Sequence, residues 1–91
     1  MKVFWTKRAL RQHEELEKYL MKFWTQNEVV SYLKKLERTI DILKKFPEAG
    51  VRIDEYRRMN ITPQTAIIYK IVDSQLMIIM MIWDNRRKPI W

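Results

Sequence analysis

The chain contains no cysteine, so neither a disulfide nor a thiolate metal site can staple its fold, and nothing in it demands an oxidising compartment. Its single glycine, Gly50, and three prolines argue against a disordered or loop-dominated polypeptide. One glycine also leaves no glycine-rich loop to cradle a nucleotide phosphate. There is one histidine, His13. It falls on the apolar stripe of a helical pattern, where a half-buried imidazole bonded to a neighbour accounts for it. Without thiolates beside it no transition-metal site is expected, and any Ser-His-acid arrangement would have only this imidazole to draw on. The paired carboxylates Glu14-Glu15 and Asp54-Glu55 read as solvated surface. Long hydrophobic runs are missing too. The longest, Leu76 to Trp83, is too short to span a bilayer as a helix, and the start has no apolar stretch of signal-peptide length. The expectation is a soluble, cytoplasmic chain with no membrane association, no cofactor and no metal.

What the sequence has in abundance is positive charge: 18 Lys and Arg against 11 Asp and Glu, a net +7 over 91 residues. That length makes a single domain, 1–91. The charge predicts attraction to a polyanion or an acidic protein partner, although a merely soluble basic surface would look the same. The basic residues are spread as Lys7-Arg8, Lys34-Lys35, Lys44-Lys45, Arg57-Arg58 and Arg86-Arg87-Lys88. Apolar positions between them mark a folded surface rather than a basic arm.

Lys2 to Trp5 reads as a strand. Thr6 can then cap a helix whose apolar members Ala9, His13, Leu16, Leu20 and Phe23 recur at helical spacing. Thr25 and Glu28 have the spacing of a capping box, flanked by Trp24 and Val29 as a hydrophobic staple. The second helix starts there and carries Val29, Leu33, Leu36, Ile40 and Leu43 on one face. Pro47 ends it and Gly50 gives freedom to turn. Glu55–Ile61, Thr65–Val72 and Gln75–Trp83 read as three strands, the last two joined by a turn at Asp73-Ser74. The fold class is α+β: βααβββ, a mostly antiparallel sheet with a helical hairpin packed on one face.

Residues 76–83 are apolar at every position, whereas a sheet covered on one side should alternate. Two arrangements account for this: a central strand buried on both sides, or one whose second face is a docking surface, for which methionines are well suited. Chemistry-bearing residues gather on the later strands. Arg57 and Arg58 lie on one, Lys70 on the next, and Arg86, Arg87 and Lys88 follow the last, between Trp83 and Trp91. Arginine forks suit phosphate oxygens, and tryptophan offers a face for a nucleobase or another arginine. A solvated basic edge that discourages strand pairing is the other reading.

The order of elements and the segments T-K-R-A-L-R, K-K-L-E-R-T-I-D-I-L-K-K-F-P-E-A-G, A-I-I-Y-K-I-V-D and W-D-N-R-R-K-P-I-W resemble the RelE/ParE superfamily of toxins from type II toxin–antitoxin pairs, across essentially the whole chain. The resemblance implies a toxin neutralised by a cognate antitoxin, whose partner surface would include Met77, Ile79, Met81 and Trp83. RelE-like members cleave messenger RNA on the ribosome, and ParE-like members poison DNA gyrase. RelE-like chains commonly carry an arginine where this chain has Ala66, and a C-terminal tyrosine where it has Trp91. Tryptophan has no ionisable hydroxyl for proton transfer. The expectation therefore leans to a ParE-like binder of DNA gyrase, with Arg57, Arg58, Arg86, Arg87, Lys88 and Trp91 as target-binding residues. An mRNA endoribonuclease with Lys70, Arg86 and Arg87 as its catalytic candidates, and a toxin fold that only binds its antitoxin, are the alternatives.

Overall fold

A computed structural model describes residues 1–84. β1 (Lys2–Trp5) gives way at once to helix α1 (Lys7–Phe23) because Thr6 stays extended while its hydroxyl accepts the Ala9 N–H at 3.0 Å, one of the donors a helix start leaves unpaired. Trp24 closes α1 by returning its N–H to Leu20 O. Thr25 then caps α2 (Gln26–Lys45) by accepting the Glu28 N–H, as the capping-box spacing predicts. A 3-10 turn at Pro47–Ala49 leads into β2 (Val51–Ile53), β3 (Tyr56–Asn60), β4 (Thr65–Asp73) and β5 (Leu76–Asp84).

The sheet runs β1-β5-β4-β3-β2, antiparallel throughout except for the parallel pairing of β1 with β5. This is the expected α+β arrangement with one short strand more. β2 escapes a sequence reading because its three residues are all exposed and carry no burial pattern. It forms because Asp54 adopts φ 54°, a left-handed conformation that short Asx side chains tolerate, so the chain can double back onto β3.

The hairpin of α1 and α2 covers one face of the sheet. Leu16 and Leu20 from α1 and Leu36 and Leu43 from α2 meet Ile67, Tyr69, Met77, Ile79 and Ile82 in a single core, where each fully buried aliphatic side chain contributes on the order of 1.5–3 kcal/mol. α1 turns slightly from the predicted stripe: Gln12 is buried in it, while Phe23 stays 63% exposed. His13 has the neighbour its position calls for, with Nδ1 3.0 Å from Tyr32 Oη.

Gly50 has a different reason from the expected one. Its φ is −72°, open to any residue, so turning freedom is not what it supplies. The buried Tyr69 side chain lies against it: Tyr69 Oη accepts the Gly50 N–H at 3.0 Å and donates to Pro47 O at 2.5 Å. A Cβ at position 50 would sit 2.6 Å from that oxygen. Arg57 adds to the latch by donating to Gly50 O and Glu48 O. The segment F-P-E-A-G is thus the seam between the end of α2 and the sheet.

Strict alternation fails in β5. Ile68 pairs with Met81 but Tyr69 pairs with Ile79, so Met80 is an extra residue, a β-bulge. Met77 and Ile79 before it and Ile82 after it point to the helices, whereas Met80, Met81 and Trp83 line a groove on the other face. No helix among the described residues is long and apolar enough to cross a membrane.

Candidate functional site

The sheet face without helices carries the candidate site. β3, β4 and β5 align Arg58, Ile68 and Met81 in register across the sheet. β2 adds Ile53, β3 adds Tyr56, and Trp83 follows on β5. From the far side Thr6 and Arg8, at the start of α1, complete the wall. Together they bound an open, mainly apolar groove of about 430 Å³, within the size range of specific binding clefts. Arg8 and Arg58 are its cationic wall members. On β1, Val3 and Trp5 pack toward the core, so the alternate residue Phe4 extends this face and is 59% exposed.

The structure divides the sequence-predicted residues. Met77 and Ile79 are both fully buried beneath the helices, while Met81 and Trp83 border the groove. The expectation that all four share one face is corrected by the bulge at Met80, which reverses the parity of everything after it. A partner lying on the open face meets the second pair and not the first. Arg57 and Arg58, adjacent in sequence, also point to opposite faces: Arg58 lines the groove, and Arg57 is occupied with the backbone at 48 and 50. Lys70 lies 3.3 Å from Glu55 in an exposed ion pair, an interaction worth little in water. Arg86, Arg87, Lys88 and Trp91 lie outside the described residues.

Sequence reasoning overlooked Arg8, Ile53, Ile68 and Met80. Ile68 follows from alternation once Ile67 is placed inside. Arg8 and Ile53 become visible only when the start of α1 and the unforeseen strand β2 are folded onto the sheet.

One titration is displaced. Burial raises the Tyr69 phenol above its ordinary 10.0, outweighing the Gly50 N–H bond and the nearby Arg57, which lower it; Glu48 raises it further. Tyr69 therefore keeps its proton at neutral pH and serves as a donor to the backbone. Ala66 is paired with Trp83 and has no exposed surface. The tryptophan opposite is itself only 7% exposed. Among the described residues no three His, Cys, Asp or Glu side chains gather as a metal site. What the face offers is shape, apolar area and two guanidinium groups. Apolar area suits an apolar segment, and guanidinium forks suit carboxylate or phosphate oxygens.

Comparison with known proteins gives the same outline. The family model described as the ParE toxin of the type II toxin–antitoxin system parDE matches residues 3–89. No curated protein sequence matches the chain. Among solved structures, the chromosomal ParDE system of P. aeruginosa superposes with a TM-score of 0.73 at 11% identity, covering 92% of this chain and 95% of that one. The YoeB/ParE toxin of Agrobacterium tumefaciens gives 0.64 at 18% identity, covering 92% and 98%. YafQ of E. coli gives 0.62 at 14%, covering 93% of each. At such identities the superpositions speak for the fold.

Proposed function

The chain belongs to the ParE toxin family of type II toxin–antitoxin systems, and from that membership we propose that it is a cytoplasmic toxin that inhibits DNA gyrase by binding, with no cofactor. Family membership carries a cognate antitoxin with it. In this reading an extended, apolar and acidic stretch of the antitoxin fills the groove between Arg8, Arg58, Met81 and Trp83. The net charge of +7 speeds encounter with an acidic partner. Target binding falls to Arg58 and to the basic segment Arg86, Arg87, Lys88 and Trp91, while Arg57 acts through the backbone it holds.

The observation that carries the preference for binding over RNA cleavage is the Ala66–Trp83 pair. The position at which RelE-like toxins commonly place a cation is a methyl group buried opposite an indole, so no charge stands there to stabilise a phosphorane-like transition state. Trp91 removes a proton-transfer hydroxyl as well. Arg86 and Arg87 are then binding residues rather than catalysts, and Lys70 has no catalytic part.

The test is direct. Purified toxin, added to DNA gyrase in a supercoiling assay, is expected to reduce activity and to accumulate cleaved DNA, with relief on adding the antitoxin encoded beside it. Induction in cells should raise a DNA-damage response while transcripts stay whole. Transcripts cut within translated codons, with gyrase unaffected, would assign the chain to the ribonucleases. Harmless induction would reduce it to an antitoxin-binding fold.

A further inference from the structure

The bulge that sorts β5 onto two faces is held by two side chains of the helical layer. β1 stops at Trp5, opposite Ile79, while β5 continues to Asp84. Beyond Ile79 the β1 edge of β5 has no strand beside it among the described residues, and its backbone groups, lying inside the protein, still need partners. Thr6 supplies the first. While capping α1 it gives its N–H to Ile79 O at 3.1 Å and its hydroxyl to Met80 O at 3.2 Å. Gln12 supplies the second, its Oε1 accepting the Ile82 N–H at 3.0 Å. The extra residue of the bulge sits between these two anchors.

Gln12 is an unusual choice for the core. It is only 9% exposed, and its Nε2 is buried with no hydrogen-bond partner among the described residues. Burying an amide nitrogen unpaired is unfavourable, so this glutamine is held in place by its oxygen, which stands where the carbonyl of a longer β1 would stand. An apolar residue would pack as well but would leave the Ile82 N–H unpaired.

We propose that Thr6 and Gln12 form a clamp that fixes the bulge at Met80, and that Gln12 is thereby a positioning residue for the partner-binding face. By setting the parity after residue 80, the pair turns Met81 and Trp83 outward and Ile82 inward. This inference rests on the proposal that the open face receives the antitoxin only for its functional consequence; the clamp itself is a property of the fold.

The absence of cysteine makes the test clean, since one introduced thiol is the only one. Cysteine is placed at Met81→Cys or Ile82→Cys, with and without Gln12→Leu, and maleimide labelling rates are compared. With Gln12 present, position 81 should label readily and position 82 slowly. Gln12→Leu should raise the 82-to-81 rate ratio by about tenfold, the factor of one lost hydrogen bond. A core variant chosen to match its loss of thermal midpoint, such as Leu16→Val, should leave the ratio unchanged. An unchanged ratio in folded Gln12→Leu overturns the clamp. Should that variant not fold, amide exchange in the unaltered protein decides: Ile82 is expected to be protected at least about tenfold over a free amide, and free exchange there overturns the proposal. Adding the cognate antitoxin should slow labelling of position 81. If it does not while the ratio responds to Gln12, the open-face reading fails and the clamp stands.

Discussion

Replacing Gly50 by alanine should destabilise the protein, although general expectation points the other way. At φ −72° alanine is conformationally acceptable, and a Gly→Ala change at such a site ordinarily stabilises by about 0.4–1 kcal/mol through the unfolded chain. The obstacle is Tyr69. The new methyl carbon would lie 2.6 Å from Tyr69 Oη, 2.8 Å from Cε1 and 2.9 Å from Arg58 O, all well inside the 3.5–4.0 Å at which carbon contacts are favourable. The tyrosine is fully buried. Moving it aside would break its bonds to Gly50 N and Pro47 O. Overpacking of this kind costs about 1–3 kcal/mol, and each of the two lost hydrogen bonds about 1 more, giving an expected loss of about 3–5 kcal/mol. Urea unfolding monitored by tryptophan fluorescence measures it, read as a shift in midpoint at constant slope. A second measurement separates causes. Tyr69→Phe removes the nearest oxygen but keeps the ring, so Gly50→Ala should cost at least about 1 kcal/mol less in that background. If the alanine variant is as stable as the parent, or more so, the close approach does not govern this position and the reasoning fails.

The division of β5 predicts contrasting phenotypes. Met77→Ala should cost about 2–5 kcal/mol of stability by opening a core cavity, whereas Met81→Ser should change stability by less than about 1 kcal/mol while weakening antitoxin affinity about tenfold or more, as calorimetry or surface binding would record. Similar losses of stability at the two sites would contradict the parity. Thr25→Ala should lower stability by about 1 kcal/mol through its cap. Thr6→Ala should exceed it, because the same hydroxyl also serves Met80 O; thermal melts rank the two. Finally, the contribution of Tyr69 to stability should be level up to about pH 10 and fall above it. The unfolded tyrosine ionises near 10.0 whereas burial holds Tyr69 protonated to higher pH, so between those values the unfolded state releases a proton that the folded state keeps, and rising pH favours unfolding. Tyr69→Phe should flatten that part of the alkaline limb, measured as midpoint against pH.

Much of the helical layer can be read from the residues because its determinants are local. Thr6, Thr25 and Glu28 announce both helix starts, and the spacing of Val29, Leu36 and Leu43 gives the buried face of α2. The turn near Asp73 is equally local, with its carboxylate accepting the Gln75 N–H at 2.7 Å. The order of strands is not local: nothing in Lys2–Trp5 says that it lies beside Leu76–Ile79 rather than at the edge of β3 that β2 occupies. Gly50 is conspicuous in the sequence, yet its reason, a phenol arriving from β4, exists only after folding. The candidate site suffers most from this limit. Alternation places Met77, Ile79, Met81 and Trp83 together, and the bulge that separates them depends on Thr6 and Gln12, far away in the chain. Lys70, Arg57 and Arg58 show likewise that a basic residue on a strand says nothing by itself about whether a carboxylate, a backbone carbonyl or open solvent awaits it.

The position of β5 bears on when this protein first becomes a protein. Among the described residues it is the last strand to leave the ribosome, yet it lies inside the sheet between β1 and β4. Until it emerges, β1 has nothing to pair with, and α1 has no Met77, Ile79 or Ile82 on which to close. The emerging chain must therefore wait, its first strand made seconds before it finds a neighbour at ordinary rates of synthesis. A nascent chain interrupted before residue 76 has no sheet centre, and hence no groove on its open face.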